Sequence, residues 1–292
     1  MRKISVETGY FESFDGTKIY YETRGKGKPL VFVYGIGCLF NHWAHQVKYF
    51  SKNYKVILYD FRAHHKSSIP ENPNNLNMES MAKDIDCLMK HLKLEKATFI
   101  GHSFGGQVII KTYDLFPDYF SNIVFINCFI RNPIEGMFGS DLPRKIFEYL
   151  KKGYDLLPET ISTLWKMVIN SPLFIPITGL SGGFNLALTP FKDIEIYAKG
   201  ISSVDLNSFI KLFEQMMKYD GRDVLERVKV PALIIAGAKD SVTPRKHQEE
   251  MHSLLPDSEY TIMPYGSHCT QLDLPIYVNL RVEKFLKSKK YY

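Results

Sequence analysis

Apolar and polar positions follow two rhythms along this chain. Residues 4–13 and 17–24 alternate with the two-residue period of strands, and Asp15-Gly16 between them reads as a hairpin turn. Short continuous apolar runs at 30–34, 56–59, 98–100 and 123–127 read as strands covered on both faces, as in a parallel sheet. Between them Met81, Ile85, Leu88, Met89 and Leu92 recur at helical spacing, which predicts a helix over 78–92; a second follows over 104–115. Strands alternating with helices predict the α/β class. From about Arg131 to about Tyr219 the rhythm changes to helix-like pieces divided by Pro133, Pro143, Pro158, Pro172, Pro176 and Pro190. The strand pattern returns at 232–236 and 259–263, with helices near 247–254 and 277–287. The expected division is therefore an α/β core, residues 1–130 and 223–292, interrupted by a helical cap over 131–222.

Composition narrows the class of protein. With 292 residues, 45% hydrophobic and 23% charged, the chain is globular, and disorder, collagen and coiled coil are excluded. Its longest apolar runs, 30–36, 123–130 and 232–238, fall far short of the roughly 20 residues a membrane-spanning helix needs. Glu7, Glu12 and Asp15 interrupt the region where a signal peptide would be apolar, so a cytoplasmic protein without stable membrane insertion is expected. The four cysteines, Cys38, Cys87, Cys128 and Cys269, form no CxxC pair and predict neither a zinc site nor a disulfide framework. The net charge of +6 is spread along the chain, with one small cluster at Lys284, Lys287, Lys289 and Lys290. No basic stripe is interleaved with aromatics, so no nucleic-acid partner is expected. Nothing in the sequence fixes an oligomeric state.

The most informative segment is Gly101-His102-Ser103-Phe104-Gly105, between the strand at 98–100 and the helix at 104–115. It is a G-x-S-x-G sequence in the strand–turn–helix context that such a motif requires. A serine on a sharp strained turn tolerates little bulk two residues to either side, which accounts for both glycines. A serine hydroxyl attacks only when a base takes its proton and a third group orients that base. Asp240 ends a turn after the apolar run from Leu233, and His268 lies on a loop after the last strand. The order Ser103, Asp240, His268 is the order of a hydrolase triad. Plainer readings exist for each: a turn serine, a helix N-cap at Asp240 beside Ser241, Thr243 and Pro244, and a surface histidine. His102 is read as a packed or hydrogen-bonded support.

On these residues the chain resembles serine hydrolases of the α/β-hydrolase superfamily, of the esterase or lipase kind with a helical cap. The resemblance covers residues 7–130 and 223–287. It implies a mostly parallel eight-stranded sheet flanked by helices, with Ser103 as nucleophile, His268 as general base and then acid, and Asp240 fixing the imidazole tautomer. It also implies an oxyanion hole from the backbone N–H groups of Phe104 and Ile36, and no metal or organic cofactor. Two departures stand out. Tyr34 replaces the usual histidine before Gly35, and Ala63 and His65 replace glycines in Asp60-Phe61-Arg62-Ala63-His64-His65-Lys66-Ser67. His42, His45, His64 and His65 have no cysteine or carboxylate at ligand spacing, so no metal site is expected there.

The cap segment carries Phe138, Phe147, Trp165, Met167, Phe174, Phe184, Phe209, Phe213, Met216 and Met217. Those at helical spacing, such as Phe209, Phe213, Met216 and Met217, are expected mainly to pack the cap onto the core. Trp165, Phe138, Phe184 and Phe213 are the candidate substrate-binding residues, and Gly179, Gly182 and Gly183 are candidates for lid movement. An aromatic lid favours an apolar acyl group, so the expected partner is a small apolar ester and the expected reaction its hydrolysis through an acyl-enzyme. C–C bond hydrolysis, thioester hydrolysis and cofactor-free perhydrolysis would use the same three residues, and a small-molecule receptor could share the scaffold. Epoxide hydrolase and haloalkane dehalogenase chemistry needs an aspartate where Ser103 stands.

Overall fold

The structure, a computed structural model, describes residues 5–135, 137–180 and 182–292. Its strands are β1 (Val6–Glu12), β2 (Lys18–Arg24), β3 (Pro29–Val33), β4 (Lys55–Tyr59), β5 (Ala97–His102), β6 (Phe120–Ile126), β7 (Ala232–Gly237) and β8 (Ser258–Met263). They form one sheet in the order β1-β2-β4-β3-β5-β6-β7-β8. The β1–β2 hairpin turns at Gly16, whose φ of +79° suits a residue without a Cβ. β2 meets β4 antiparallel, and every later pairing is parallel. The strands predicted from continuous apolar runs are the central ones, and β5 and β7 are buried along their whole length.

Helices α1 (Ala44–Phe50), α2 (Met78–His91) and α3 (Phe104–Leu115) connect the first six strands. α2 starts where the Asn77 side chain accepts from the Ser80 N–H, and it buries Met81, Ile85, Leu88 and Met89 against the sheet. Five helices follow β6: α4 (Leu142–Leu156), α5 (Pro158–Ile169), α6 (Phe174–Leu180), α7 (Phe191–Ser203) and α8 (Leu206–Lys218). Pro143 and Pro158 stand in the first turns of α4 and α5, where a missing N–H breaks no helical bond. The chain then completes α9 (Arg222–Leu225), β7, α10 (Lys246–Leu254), β8, α11 (Thr270–Asp273) and α12 (Pro275–Ser288).

The main core lies on both faces of the sheet. The helices between β6 and β7 have small cores of their own, such as Ile169, Ala198, Ile201, Val204 and Phe209. These join the main body at its rim, where Ile36, Tyr197 and Phe213 pack against both. A Cβ on Gly37 would lie 3.0 Å from Ile201 Cγ1, which measures how closely α7 approaches the loop after β3. No described helix is long and apolar enough to cross a membrane.

Candidate active site

Ser103 occupies the turn between β5 and α3 with φ 53° and ψ −124°, a conformation that costs a non-glycine residue about 1–3 kcal/mol. The turn is crowded on both sides. A Cβ on Gly105 would lie 2.2 Å from the Val33 carbonyl, and one on Gly101 would lie 2.7 Å from Ile109 Cδ1. The Ser103 N–H donates to the Ile126 carbonyl at 3.3 Å, so β3, α3 and β6 together hold the strained turn.

Ser103 Oγ lies 3.1 Å from His268 Nε2, and His268 Nδ1 lies 3.0 Å from Asp240 Oδ2. All three are buried although they come from three separate stretches of chain. Asp240 divides its two oxygens. Oδ1 accepts from the N–H groups of Val242 and Thr243 at 2.9 and 2.8 Å, a turn cap, while Oδ2 faces the imidazole and accepts from Thr243 Oγ1 at 2.7 Å. The capping reading of Asp240 and its reading as the imidazole's partner therefore coexist in one carboxylate. A hydroxyl facing an imidazole whose other nitrogen faces a carboxylate can pass its proton to the ring as the oxygen attacks.

The loop after β3 passes directly over Ser103: a Cβ on Gly35 would lie 3.1 Å from Ser103 Cβ. Among the described residues, the backbone N–H groups of Ile36 and Phe104 have no hydrogen-bond acceptor. Ile36 and Ser103 also border the same cavity, of about 200 Å³. Such amides are available to a developing negative charge.

Phe138, Phe184 and Phe213 line this cavity, and Phe209 and Met216 join them. The last two pack the helices and bound the cavity at once, a double part that helical spacing alone does not reveal. Trp165 stands differently from its sequence reading. It is not a lining residue: its ring packs on that of Phe209 at 5.3 Å, one layer behind the wall, because its side of α5 faces α8. Phe129, Tyr197, Val242 and Thr243 are lining residues that the sequence did not single out. No Lys, Arg, Asp or Glu side chain is among the described lining residues.

His102 points away from the Ser103 hydroxyl. Its Nε2–H donates to the His268 carbonyl at 2.9 Å, and its Nδ1 faces His42 Nε2 at 3.1 Å. Burial holds His102 well below the usual histidine range and brings His42 down to about 3, so both rings are neutral. The side-chain amide of Gln271 abuts His42. Cys38 Sγ, His42 and His102 have ligand-capable atoms within 4.8 Å of one another, a grouping invisible in the sequence spacing. The other histidines weighed for metal do not converge on it. His64 Nε2 accepts from the Gly37 N–H at 3.0 Å, His65 bonds the Cys38 carbonyl, and His45 lies 3.7 Å from Asp193. Cys38, Cys128 and Cys269 are buried, and burial pushes their thiols up, so they stay protonated packing groups.

Residues 28–160 match a family model described as the alpha/beta hydrolase fold. Over 271 residues the chain is 27% identical to 3-oxoadipate enol-lactonase 2 of Acinetobacter baylyi, covering 91% of this chain and 92% of that protein. Among solved structures it is similar to a bromoperoxidase from Bacillus anthracis, with TM-score 0.79 and 22% identity over 96% of this chain and 100% of that one. It is also similar to an esterase from Exiguobacterium antarcticum, with TM-score 0.77 and 20% identity over the same shares, 96% and 100%. The chain has the α/β-hydrolase fold.

Two of the departures from the family pattern, Tyr34 and His65, are accommodated by rebuilt contacts. Tyr34 is buried, donates to Asp60 Oδ1 at 3.0 Å and accepts from the Phe61 N–H at 2.9 Å, which pins the start of the loop over Ser103 to the loop after β4. Ala63 and His65 both take left-handed backbone, with φ of 60° and 49°. His65 has compensating bonds, from Nε2 to the Cys38 carbonyl at 2.7 Å and between Nδ1 and Ser203 Oγ at 3.0 Å. Ala63 has no side chain with which to compensate. Just before Ala63, Arg62 is fully buried and held by Asp84, with its Nε 2.7 Å from Oδ2 and one terminal nitrogen 2.6 Å from Oδ1.

Proposed function

We propose that this protein is a serine hydrolase that cleaves carboxylic esters of apolar acyl groups through an acyl-enzyme. One observation carries the reading: the Ser103 Oγ to His268 Nε2 contact of 3.1 Å opens onto an aromatic cavity without a charged Lys, Arg, Asp or Glu side chain among its described lining residues. An apolar acyl group loses little on entering such a cavity, whereas a carboxylate-bearing one meets no counter-charge there. The helices of residues 131–222 serve as the cap, and residues 1–130 and 223–292 as the core that carries the reacting groups.

In this mechanism His268 takes the Ser103 proton while Oγ attacks the acyl carbon, and Asp240 holds the Nδ1–H and balances the imidazolium. The tetrahedral oxyanion receives the N–H groups of Ile36 and Phe104. On collapse the alkoxide leaves with the proton from His268. Water then enters, gives a proton to His268 and attacks the acyl carbon, and the acid departs as the proton returns to Ser103. No step calls for a metal or organic cofactor.

The test is hydrolysis of a graded series of p-nitrophenyl esters, wild type against Ser103→Ala. The expected result is turnover that peaks at a chain length the cavity holds and falls by about 10⁴–10⁶ in the variant. An unchanged rate in Ser103→Ala refutes the proposal.

A further inference from the structure

Asn127 is the first residue after β6, is fully buried, and takes a left-handed φ of 49°. Asparagine is among the few side chains that visit this region readily. Its amide is engaged on both ends. Nδ2 donates to the carbonyls of Ser267 at 2.5 Å and His268 at 3.0 Å. Oδ1 accepts from the N–H of Gly237 at 3.0 Å, at the end of the strand that leads to Asp240. Its backbone takes part too: its N–H donates to the Ile235 carbonyl at 2.9 Å, and its carbonyl lies 3.1 Å from Thr243 Oγ1, whose proton goes to Asp240. One buried side chain thus ties the strand before Asp240 to the loop bearing His268, without touching Ser103 or the imidazole.

We propose that Asn127 is a positioning residue for the hydrolysis, a role that rests on the reading of Ser103, His268 and Asp240 given above. His268 lies on a loop with no regular hydrogen-bond ladder, yet its ring must meet a hydroxyl on one side and a carboxylate on the other. The His268 carbonyl is therefore fixed by two buried donors, Asn127 Nδ2–H from the end of β6 and His102 Nε2–H from the end of β5. The Asn127 amide meets three groups at once, its NH2 donating to two carbonyls and its oxygen accepting from one N–H. A misplacement of about 1 Å in a reacting group costs on the order of 100-fold in rate.

Two variants separate the side chain from its backbone. Asn127→Gly keeps the left-handed conformation and removes the amide, and Asn127→Asp keeps the shape but turns both donors into acceptors facing carbonyls. With a p-nitrophenyl ester that the wild type hydrolyses, both are expected to lose at least about 30-fold in kcat, with KM within twofold and cooperative thermal unfolding retained. A kcat within threefold of wild type, a KM that rises in step with the loss, or loss of cooperative unfolding in both variants overturns the proposal. Equal rates for wild type and Ser103→Ala would instead remove the underlying reading, and this proposal with it.

Discussion

His268 donates its backbone N–H to the carbonyl of Gly182 at 3.0 Å, so the loop carrying the imidazole is fastened to the helical segment as well as to the sheet. Gly183 extends the fastening, its carbonyl accepting from the Cys269 N–H at 3.2 Å. Any movement of this stretch therefore moves the partners of the His268 peptide. The close approach depends on the glycine: Gly182 has φ +81°, and a Cβ there would lie 2.1 Å from Ser241 Oγ and 2.9 Å from the Lys239 carbonyl. Gly182→Val is accordingly expected to lower kcat for an ester substrate by about 10–100-fold, the scale of a small misplacement of a reacting group. Steady-state kinetics check it, and an unchanged kcat would show that His268 does not depend on this strap.

Glycine 182 also shows where sequence reading stops. The parallel strands were legible because β3, β5, β6 and β7 are short apolar runs bounded by turns, and the serine turn because steric crowding demands Gly101 and Gly105. That Asp240 and His268 come together with Ser103 was legible through their order and their place after strands. Gly182, read in the sequence as a source of lid freedom, is a point of attachment, and nothing local distinguishes the two. Asn127 and Thr243 owe their parts to partners far away in sequence, as in the Asn127 to His268 bond that spans 141 positions. Trp165 shares its helical segment's apolar character with the lining aromatics, and only the packing of α5 on α8 decides that it stands behind Phe209.

The left-handed residues after β4 respond unequally to glycine. Ala63→Gly relieves a φ of 60° against the loss of one methyl buried in the main core, and is expected to stabilise the protein by at most about 0.5–1 kcal/mol. His65→Gly relieves a similar strain but removes the bonds to Cys38 and Ser203, so it is expected to give no such gain. Urea unfolding of the two variants beside wild type reads the difference.

Stability is expected to fall on acidification through the buried histidines. Burial brings His42 and His64 down to about 3 and holds His102 well below the usual range, while in the unfolded chain such rings protonate near 6.5. Between about pH 6.5 and 3 the unfolded state binds more protons, so stability rises with pH through that window, by up to about 1.4 kcal/mol per pH unit for each ring. Asp60 works in the opposite sense. Burial pushes its carboxyl up to about 7, so its contribution is present at low pH and lost as pH rises through 7. His65 and His247 are lowered in the same way and the Asp84 carboxyl is raised like that of Asp60, so five rings against two carboxyls leave a net loss below pH 6.5. His64→Gln, whose amide can still meet the Gly37 N–H, is expected to flatten the acid side of a plot of Tm against pH; an unchanged slope contradicts this.

The cavity wall and the layer behind it are expected to separate in chain-length profiles. Phe213→Ala enlarges the lined space and should move the preferred acyl chain to greater length. Trp165→Ala removes packing from behind Phe209, with an expected cost of about 3–5 kcal/mol in stability and no comparable shift in preference. Tm and the ester series measured on both variants decide between wall and support.

The central claim is that the Ser103 hydroxyl is made reactive by His268, and the most direct measurement is covalent capture. Wild type treated with a fluorophosphonate, digested and mapped by mass spectrometry is predicted to carry one adduct, on the peptide containing Ser103, with labelling abolished in Ser103→Ala and strongly slowed in His268→Ala. A wild-type protein that stays unlabelled, or an adduct on any other residue, would contradict the account.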